Sequence, residues 1–309
     1  MKPIVTLTLN PAVDASSETE KVHAVRKVRT SNERFDPGGG GINAARVINE
    51  LGGRAFAVYL AGGNSGNVLD DLLDETGVVY HRVHTHEPTR VSHVVFERDS
   101  GNEFRFTPTG PTVAETEWRA TLDFIELLDF DYLLASGSLP PGVPEDFYVQ
   151  VATLADKKGA RFVADTSGAP LKAIVEHGAH LVKPSVGELE SVVGRPLRRE
   201  DELEAAAREI VDRGKVAILT VTLGRDGALL VTPDVVRRLP SPDVPVQSAV
   251  GSGDSFLAAM TLGLARGRTP LEAFADGIAA GAATALTPGT ELCHRADIER
   301  IRVLVEAHL

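Results

Sequence analysis

An α/β fold, a doubly wound and mostly parallel sheet, follows from three features of the chain. Between residues 36 and 309, short β-rich runs alternate with helical patterns. The runs are compact and apolar, as expected of strands covered on both faces. Helical patterns stop at glycine, at Gly52 and again at Gly77. The opening stretch Met1–Leu9 reads as a first strand. Buried strands are expected at Ala55–Leu60, Tyr132–Ala135, Arg161–Ala164, His180–Val182 and Val216–Val221. Helices are expected over Ile42–Leu51, Val68–Thr76, Glu115–Leu128, Asp201–Arg213 and Leu271–Leu286. Gly224-Arg225-Asp226-Gly227 before Ala228–Val231 reads as a hairpin turn. Two segments break the rhythm. Lys21–Thr30 alternates around Lys27-Val28-Arg29, and Thr89–Pro108 reads as a hairpin turning at Asp99–Asn102. Strands outside the main alternation are expected to pair as a separate small sheet, which needs a site or a second subunit to cover one face.

Composition narrows the partners. The 309 residues are 43% hydrophobic and 24% charged, ordinary for a globular chain able to bury its own core. A net charge of −11 argues against nucleic acid and anionic membranes, but not against a small anion in a local basic pocket. One cysteine, Cys293, excludes an intrachain disulfide and a cysteine zinc cluster. The nine histidines show no metal-ligand spacing. No apolar run reaches the length of a membrane span and the N-terminus is too short for a signal segment, so a cytoplasmic protein is expected.

The most informative stretch is Val250-Gly251-Ser252-Gly253-Asp254-Ser255, which opens into the apolar run Phe256–Leu264. Glycines and a helix start leave backbone N–H groups uncovered, forming a receptor for an anion. Asp254 would repel that anion unless it takes a proton from an attacking hydroxyl beside it. A second helix start follows Gly38-Gly39-Gly40-Gly41, with Asn43 in its first turn able to donate to and accept from sugar hydroxyls. This is neither a P-loop, which needs a Lys-Ser/Thr pair, nor a dinucleotide fingerprint. Asp14 lies just past the first strand. Lys27, Arg29 and Arg90 lie on the two odd segments, where cations would clamp a phosphate. Ser138, Asp165, Lys183, Thr222 and Gly224 follow buried strands, where ligands bind in such sheets.

These motifs together resemble the PfkB carbohydrate kinase family, with its ribokinase-like three-layer fold and β lid. The residues from Val250 to Ser255 resemble its G-A-G-D signature, with Ser252 replacing Ala. Thr6–Pro11 and Ser136–Gly142 resemble segments shared widely among its sugar-phosphate kinases. The Gly-rich loop resembles that of the minor ATP-dependent bacterial 6-phosphofructokinases, whereas 1-phosphofructokinases and tagatose-6-phosphate kinases usually carry Lys at the position of Gly41. The resemblance implies one kinase unit over residues 1–309, with a discontinuous lid near 12–35 and 88–108. It implies Asp254 as base, with Gly251, Ser252 and Gly253 as the anion hole. Asp14, Gly39, Gly40 and Asn43 would hold the sugar, and Lys27, Arg29, Arg90 and Ser138 its phosphate. Lys183, Ser185, Glu188, Thr222, Gly224 and Gly227 would face ATP and Mg²⁺, with Glu188 acting on the metal indirectly. The family's N-x-x-E motif stands here as Ser185-Val186-Gly187-Glu188, so altered Mg²⁺ affinity is expected. A monovalent cation such as K⁺ would sit at Ser248, Val250, Thr284, Thr287 and Gly289, beside a Glu291 that stands where the most similar members carry Arg. A homodimer paired through the lids is implied.

The expected reaction is transfer of the ATP γ-phosphoryl group to the C1 hydroxyl of fructose 6-phosphate. Tagatose 6-phosphate and fructose 1-phosphate are the alternative acceptors. A non-catalytic sugar-phosphate sensor is the reading from another class, and the retained Asp254 speaks against it.

Overall fold

The computed structural model describes all 309 residues. Thirteen strands form two sheets: β1 (Ile4–Thr8), β2 (Ala12–Thr19), β3 (Ser31–Gly38), β4 (Ala55–Gly62), β5 (Val79–Thr85), β6 (Arg90–Glu97), β7 (Asn102–Phe106), β8 (Tyr132–Ser136), β9 (Arg161–Asp165), β10 (Ala179–Val182), β11 (Val216–Thr222), β12 (Ala228–Val231) and β13 (Val236–Leu239). Nine make the main sheet in the order β13-β12-β11-β10-β9-β8-β1-β4-β5. It is parallel from β11 to β5 and ends in the antiparallel β11-β12-β13 edge. The other four pair as β3-β2-β6-β7.

Successive side chains of each main strand enter different cores. In β8, Leu134 faces one apolar cluster while Leu133 and Ala135 face the other. The first cluster is closed by the helices Gly40–Glu50, Gly63–Thr76, Ser252–Ala265, Pro270–Thr284 and Arg295–Glu306. The second is closed by Glu115–Leu127, Phe147–Lys157, Gly168–His177 and Glu200–Asp212. Burial on both faces explains why these strands read as continuous apolar runs.

The small sheet corrects the sequence expectation in part. The hairpin exists as β6 and β7, turning over residues 98–101. Lys21–Thr30, however, is the connection between β2 and β3 rather than a strand. The strands themselves are Ala12–Thr19 and Ser31–Gly38, which are polar and gain order by pairing: β3 runs antiparallel to β2, and β2 parallel to the apolar β6. Val25, at the tip of the connection, is fully exposed and carries φ 62°, so this valine finds no core. The helix expected from Val68 starts five residues earlier, at Gly63.

Ile125 is fully buried against the second core, in the helix Glu115–Leu127. Ile125→Ala is expected to cost about 2–5 kcal/mol, read as a lower urea midpoint.

Candidate active site

The strand order sets the place of the site. From β1 the chain steps to β4 and β5 on one side and to β8, β9, β10 and β11 on the other. A crevice opens at that switch point, beyond the carboxyl ends of the strands. There β1 ends at Thr8, β8 at Ser136, β9 at Asp165 and β11 at Thr222, while Lys183 directly follows β10. The Gly-rich loop lies across the opening and each glycine meets a different wall. A Cβ on Gly38 would lie 2.1 Å from Asp14 Oδ2, and one on Gly39 2.6 Å from Thr8 Cγ2. On Gly40 it would lie 2.0 Å from Ser136 Oγ and 3.0 Å from Asp254 Oδ1. Gly41 is buried, and its Cβ would lie 2.4 Å from the Leu7 carbonyl oxygen. No side chain fits there without displacing β1. The expectation that position 41 distinguishes substrates is therefore replaced: Gly40 faces the site, and Gly41 faces the sheet. The loop is pinned by Thr8, whose Oγ1 accepts the Ile42 N–H at 2.9 Å.

Asp254 stands in the first turn of the helix Ser252–Ala265, whose cap Gly251 takes φ 75°. The first intrahelical bond runs from the Ser255 N–H to the Gly251 carbonyl (2.9 Å), so the N–H groups of Gly253 and Asp254 have no helical acceptor. Asn43 Nδ2 donates to Asp254 Oδ2 at 2.9 Å, and Ser136 Oγ approaches Oδ1 at 3.5 Å. Burial raises the Asp254 carboxyl above its ordinary range, against the pull of Asn43 and Lys183. Lys183 is buried, its Nζ 3.1 Å from Asp165 and 3.3 Å from where a Gly253 Cβ would be. Burial works to lower its pKa, but Asp165, Asp254 and Glu188 outweigh that and hold it above the ordinary value. Asp165 is pushed up to about 6 by burial, with Lys183 pulling back. A fixed ammonium thus stands beside uncovered N–H groups and a carboxylate of raised basicity. Such a set can receive a phosphoryl group and take a proton next to it.

The structure brings Asp14, Gly38–Gly40, Asn43 and Arg90 to the same end of the small sheet. Asp14 is pushed up to about 7, chiefly by burial, with Arg90 opposing and Asp254 and Asp36 adding to the rise. Arg90 donates to the carbonyls of Asn10 (2.6 Å) and Pro108 (2.7 Å), which aims its guanidinium from the joint between the two sheets. Ser138 is exposed beside it, its Oγ accepting from Asn10 Nδ2 at 3.2 Å. Lys27 and Arg29 are not brought there. They are exposed in an open hollow with Lys21, His23 and Arg98 at the opposite end of the small sheet. Ala12 pairs with Arg90 and Thr19 with Glu97. Seven residue steps thus separate the two ends, roughly 23 Å at about 3.3 Å per residue.

On the other side of Asp254 a cavity of about 720 Å³ runs from Ser252 and Gly253 to Thr222, Gly224 and Gly227. Val244, Ile278 and Ala282 give it an apolar wall. The buried Ser252 Oγ, among its lining residues, has no hydrogen-bond partner. A polar, phosphate-sized end with an apolar slot beyond it suits a nucleotide. Ser185 and Glu188 form a capping box on the helix Val186–Val193: the Ser185 N–H (2.7 Å) and Oγ (2.9 Å) both donate to Glu188 Oε2. That leaves Glu188 Oε1 for a metal-bound water. Among the residues proposed for a monovalent cation, Thr287 Oγ1 lies 2.6 Å from the Glu291 carbonyl and 2.7 Å from that of Thr284, which share its one proton. The Glu291 carboxylate turns away to Arg34 at 2.5 Å and to His294 at 2.9 Å. Sequence reasoning missed Thr8 and Asn10 as supports of the site. Their one signal was their place at and just beyond the end of the first strand.

The protein-family model for pfkB family carbohydrate kinases matches residues 5–297. The chain belongs to the pfkB family of carbohydrate kinases. Within this family it is 41% identical over 299 residues to ATP-dependent 6-phosphofructokinase isozyme 2 of Mycobacterium tuberculosis, covering 96% of this chain and 88% of that one. Crystal structures of Escherichia coli phosphofructokinase-2 superpose closely. The complex with potassium has a TM-score of 0.95 at 39% identity, and the complex with fructose 6-phosphate 0.94 at 38%; each covers 99% of this chain and 100% of the other. A 1-phosphofructokinase of Bacillus subtilis is 30% identical over 291 residues, covering 93% of this chain and 95% of that one. The expected ribokinase-like architecture, a three-layer α/β unit with a second small sheet, is the one observed.

The state of Asp14 has a consequence for stability in this kinase. Its pKa rises from 3.8 to about 7 on folding, so between these values the folded chain holds a proton that the unfolded chain has lost. Stability therefore falls as pH rises through that window. Asp14→Asn is expected to melt above the wild type at pH 8, with the gap closing below about pH 4. Thermal melts across pH check this, and a gap that widens on acidification would contradict it.

Proposed function

We propose that the protein is an ATP-dependent 6-phosphofructokinase that transfers the γ-phosphoryl group of ATP to the C1 hydroxyl of fructose 6-phosphate, giving fructose 1,6-bisphosphate and ADP. The observation that carries the reading is Asp254, a desolvated carboxylate in the first turn of a helix whose free N–H groups face the same space as Lys183. The sugar lies on the Gly38–Gly40 loop, its hydroxyls held by Asp14 and Asn43. Asn43 also fixes Asp254 Oδ2, leaving Oδ1 to align the C1 hydroxyl and accept its proton. Burial has raised the basicity of that carboxylate, which favours proton transfer. In the anion-hole turn Gly251-Ser252-Gly253, the free N–H groups of Gly253 and Asp254, with the Lys183 ammonium, meet the charge on the transferring group without reorganisation. ATP lies in the cavity bounded by Thr222, Gly224 and Gly227, its base against the apolar wall.

Mg²⁺ fits the donors on this side. Glu188 offers one oxygen, Ser185 keeps a lone pair beside it, and Mg²⁺ retains several waters and takes substrate phosphates rather than a full protein cage. When bound with ATP it offsets phosphate charge. A K⁺ ion is proposed at the carbonyl and hydroxyl groups of Ser248, Val250, Thr284, Thr287 and Gly289. Arg90 and Ser138 hold the sugar phosphate. Lys27 and Arg29, at the far end of the lid, join them only if a second copy packs its lid head to tail against the first, which is the proposed homodimer. The exposed Phe35 and Phe106 on the small sheet give that contact its apolar surface.

The preference for fructose 6-phosphate follows the higher identity to 6-phosphofructokinases than to 1-phosphofructokinases. ADP release over fructose 6-phosphate, tagatose 6-phosphate and fructose 1-phosphate tests it. The first is expected to give the highest kcat/KM, and a preference for fructose 1-phosphate would contradict the reading. Asp254→Asn is expected to keep sugar-phosphate binding and lose about 10²–10⁴-fold in kcat. Gly40→Ala, which drives a methyl group into Ser136 and Asp254, is expected to lower kcat by at least about tenfold. Turnover of either variant at the wild-type rate would remove the residue from its assigned place.

A further inference from the structure

Two hydrogen-bonded relays connect the small sheet to the residues that bracket Asp254. The first starts on β7. Ser248 Oγ donates to Glu103 Oε2 at 2.8 Å across a sequence separation of 145 residues. The same Oγ accepts the Val250 N–H at 3.2 Å, and Val250 precedes the cap Gly251. Ser248 is only 4% exposed, so the contact is shielded from water. The second relay starts on β3. Thr290 Oγ1 donates to Asp36 Oδ2 at 2.6 Å, with both residues buried. Arg34 bridges Asp36 (2.8 Å) and Glu291 (2.5 Å). From Glu291 the path runs through Thr287 to the Thr284 carbonyl, and Thr284 Oγ1 donates to Ser255 Oγ at 2.7 Å. One relay reaches the residue before Gly251 and the other the residue after Asp254.

We propose that Glu103 is a positioning residue: through Ser248 it latches the small sheet to the anion-hole loop, so that the lid and the phosphoryl-transfer geometry move as one. The proposal rests on the kinase reading above. Neither Glu103 nor Ser248 Oγ needs to touch a substrate for the latch to act. A carboxylate that holds a buried hydroxyl fixes the direction of that hydroxyl, and thereby the lone pair offered to the Val250 N–H. The anion hole works only if its N–H groups already point at the developing charge, so a loosened Val250–Gly251 segment lowers kcat more than affinity. The Asp36–Thr290 relay holds the opposite flank, which is why losing Glu103 should misalign the loop rather than unfold it.

The test compares Glu103→Ala, Glu103→Gln, Ser248→Ala and the Glu103→Ala/Ser248→Ala double variant with the wild type, by steady-state kinetics with ATP and fructose 6-phosphate and by thermal melts. Glu103→Ala is expected to lower kcat about tenfold or more, with each KM changing less than about threefold. Glu103→Gln, whose amide oxygen still accepts from Ser248, is expected to stay within about twofold of the wild type, and the double variant to fall little below Glu103→Ala. A folded Glu103→Ala enzyme with wild-type kcat overturns the latch. So does a Gln variant as impaired as the Ala variant, or additive losses in the double variant. A wild-type chain that releases no ADP from any sugar phosphate overturns the kinase reading and the latch with it. The two failures are therefore distinct.

Discussion

The arrangement depends on keeping one carboxylate beside uncovered N–H groups that attract an anion. Asp254 is withdrawn from water and placed in a helix turn that attracts negative charge. Left alone, it would either hold its own proton or repel any anion drawn to that turn. Asn43 and Lys183 make the position tenable, and both are fixed by elements far away in sequence. Asn43 is set by the Gly-rich loop, which Thr8 ties to the end of β1. Lys183 is held by Asp165 at the end of β9. The sheet thus acts as the ruler of the site: parallel strands of similar length bring Thr8, Ser136, Asp165, Lys183 and Thr222 to one rim, and the helix start is docked onto it.

The small sheet serves the same constraint from the other side. Its strands β2 and β3 are poor in apolar residues and persist because the apolar β6 supports β2, which in turn supports β3. Arg90 ties the sheet to the joint below it through backbone carbonyls, while Glu103 and Asp36 tie it to the loops flanking Asp254. The small sheet is therefore fastened both at its joint with the main sheet and at its rim, beside the crevice that holds Asp254.

Much of this was legible in the sequence, for reasons that differ by element. The main strands were visible because burial on both faces demands uninterrupted apolar residues, as in Leu133-Leu134-Ala135. The helix start after Gly251, with its uncovered N–H groups, was visible because glycines followed by a helix pattern mark such a turn. β2 and β3 were hidden: Ala12–Thr19 and Ser31–Gly38 carry no strand signal of their own, and their order comes from partners distant in sequence. The neighbouring Lys21–Thr30, richer in valine, drew the strand reading in their place. Distances between charges were hidden too. Lys27, Arg29 and Arg90 share a sign and a presumed task, but only the pairing of β2 with β6 shows that a strand's length separates them. Gly41 was misread for a similar reason, since adjacent glycines in a line of letters look alike while their Cα–H vectors point to opposite walls.

The crowding around the Gly-rich loop bears on how such an enzyme can change. Three of its four glycines abut the Asp14 carboxylate, the Thr8 and Pro11 wall, and the Leu7 peptide. Gly40 meets the Ser136 hydroxyl, with the Ser136 Cβ and the Asp254 carboxylate close behind it. A side chain at Gly40 would leave the sheet beneath it in place, but it would have to displace Ser136 and crowd Asp254. A fold assembled this tightly leaves the loop no position where a side chain could be added without moving a neighbour.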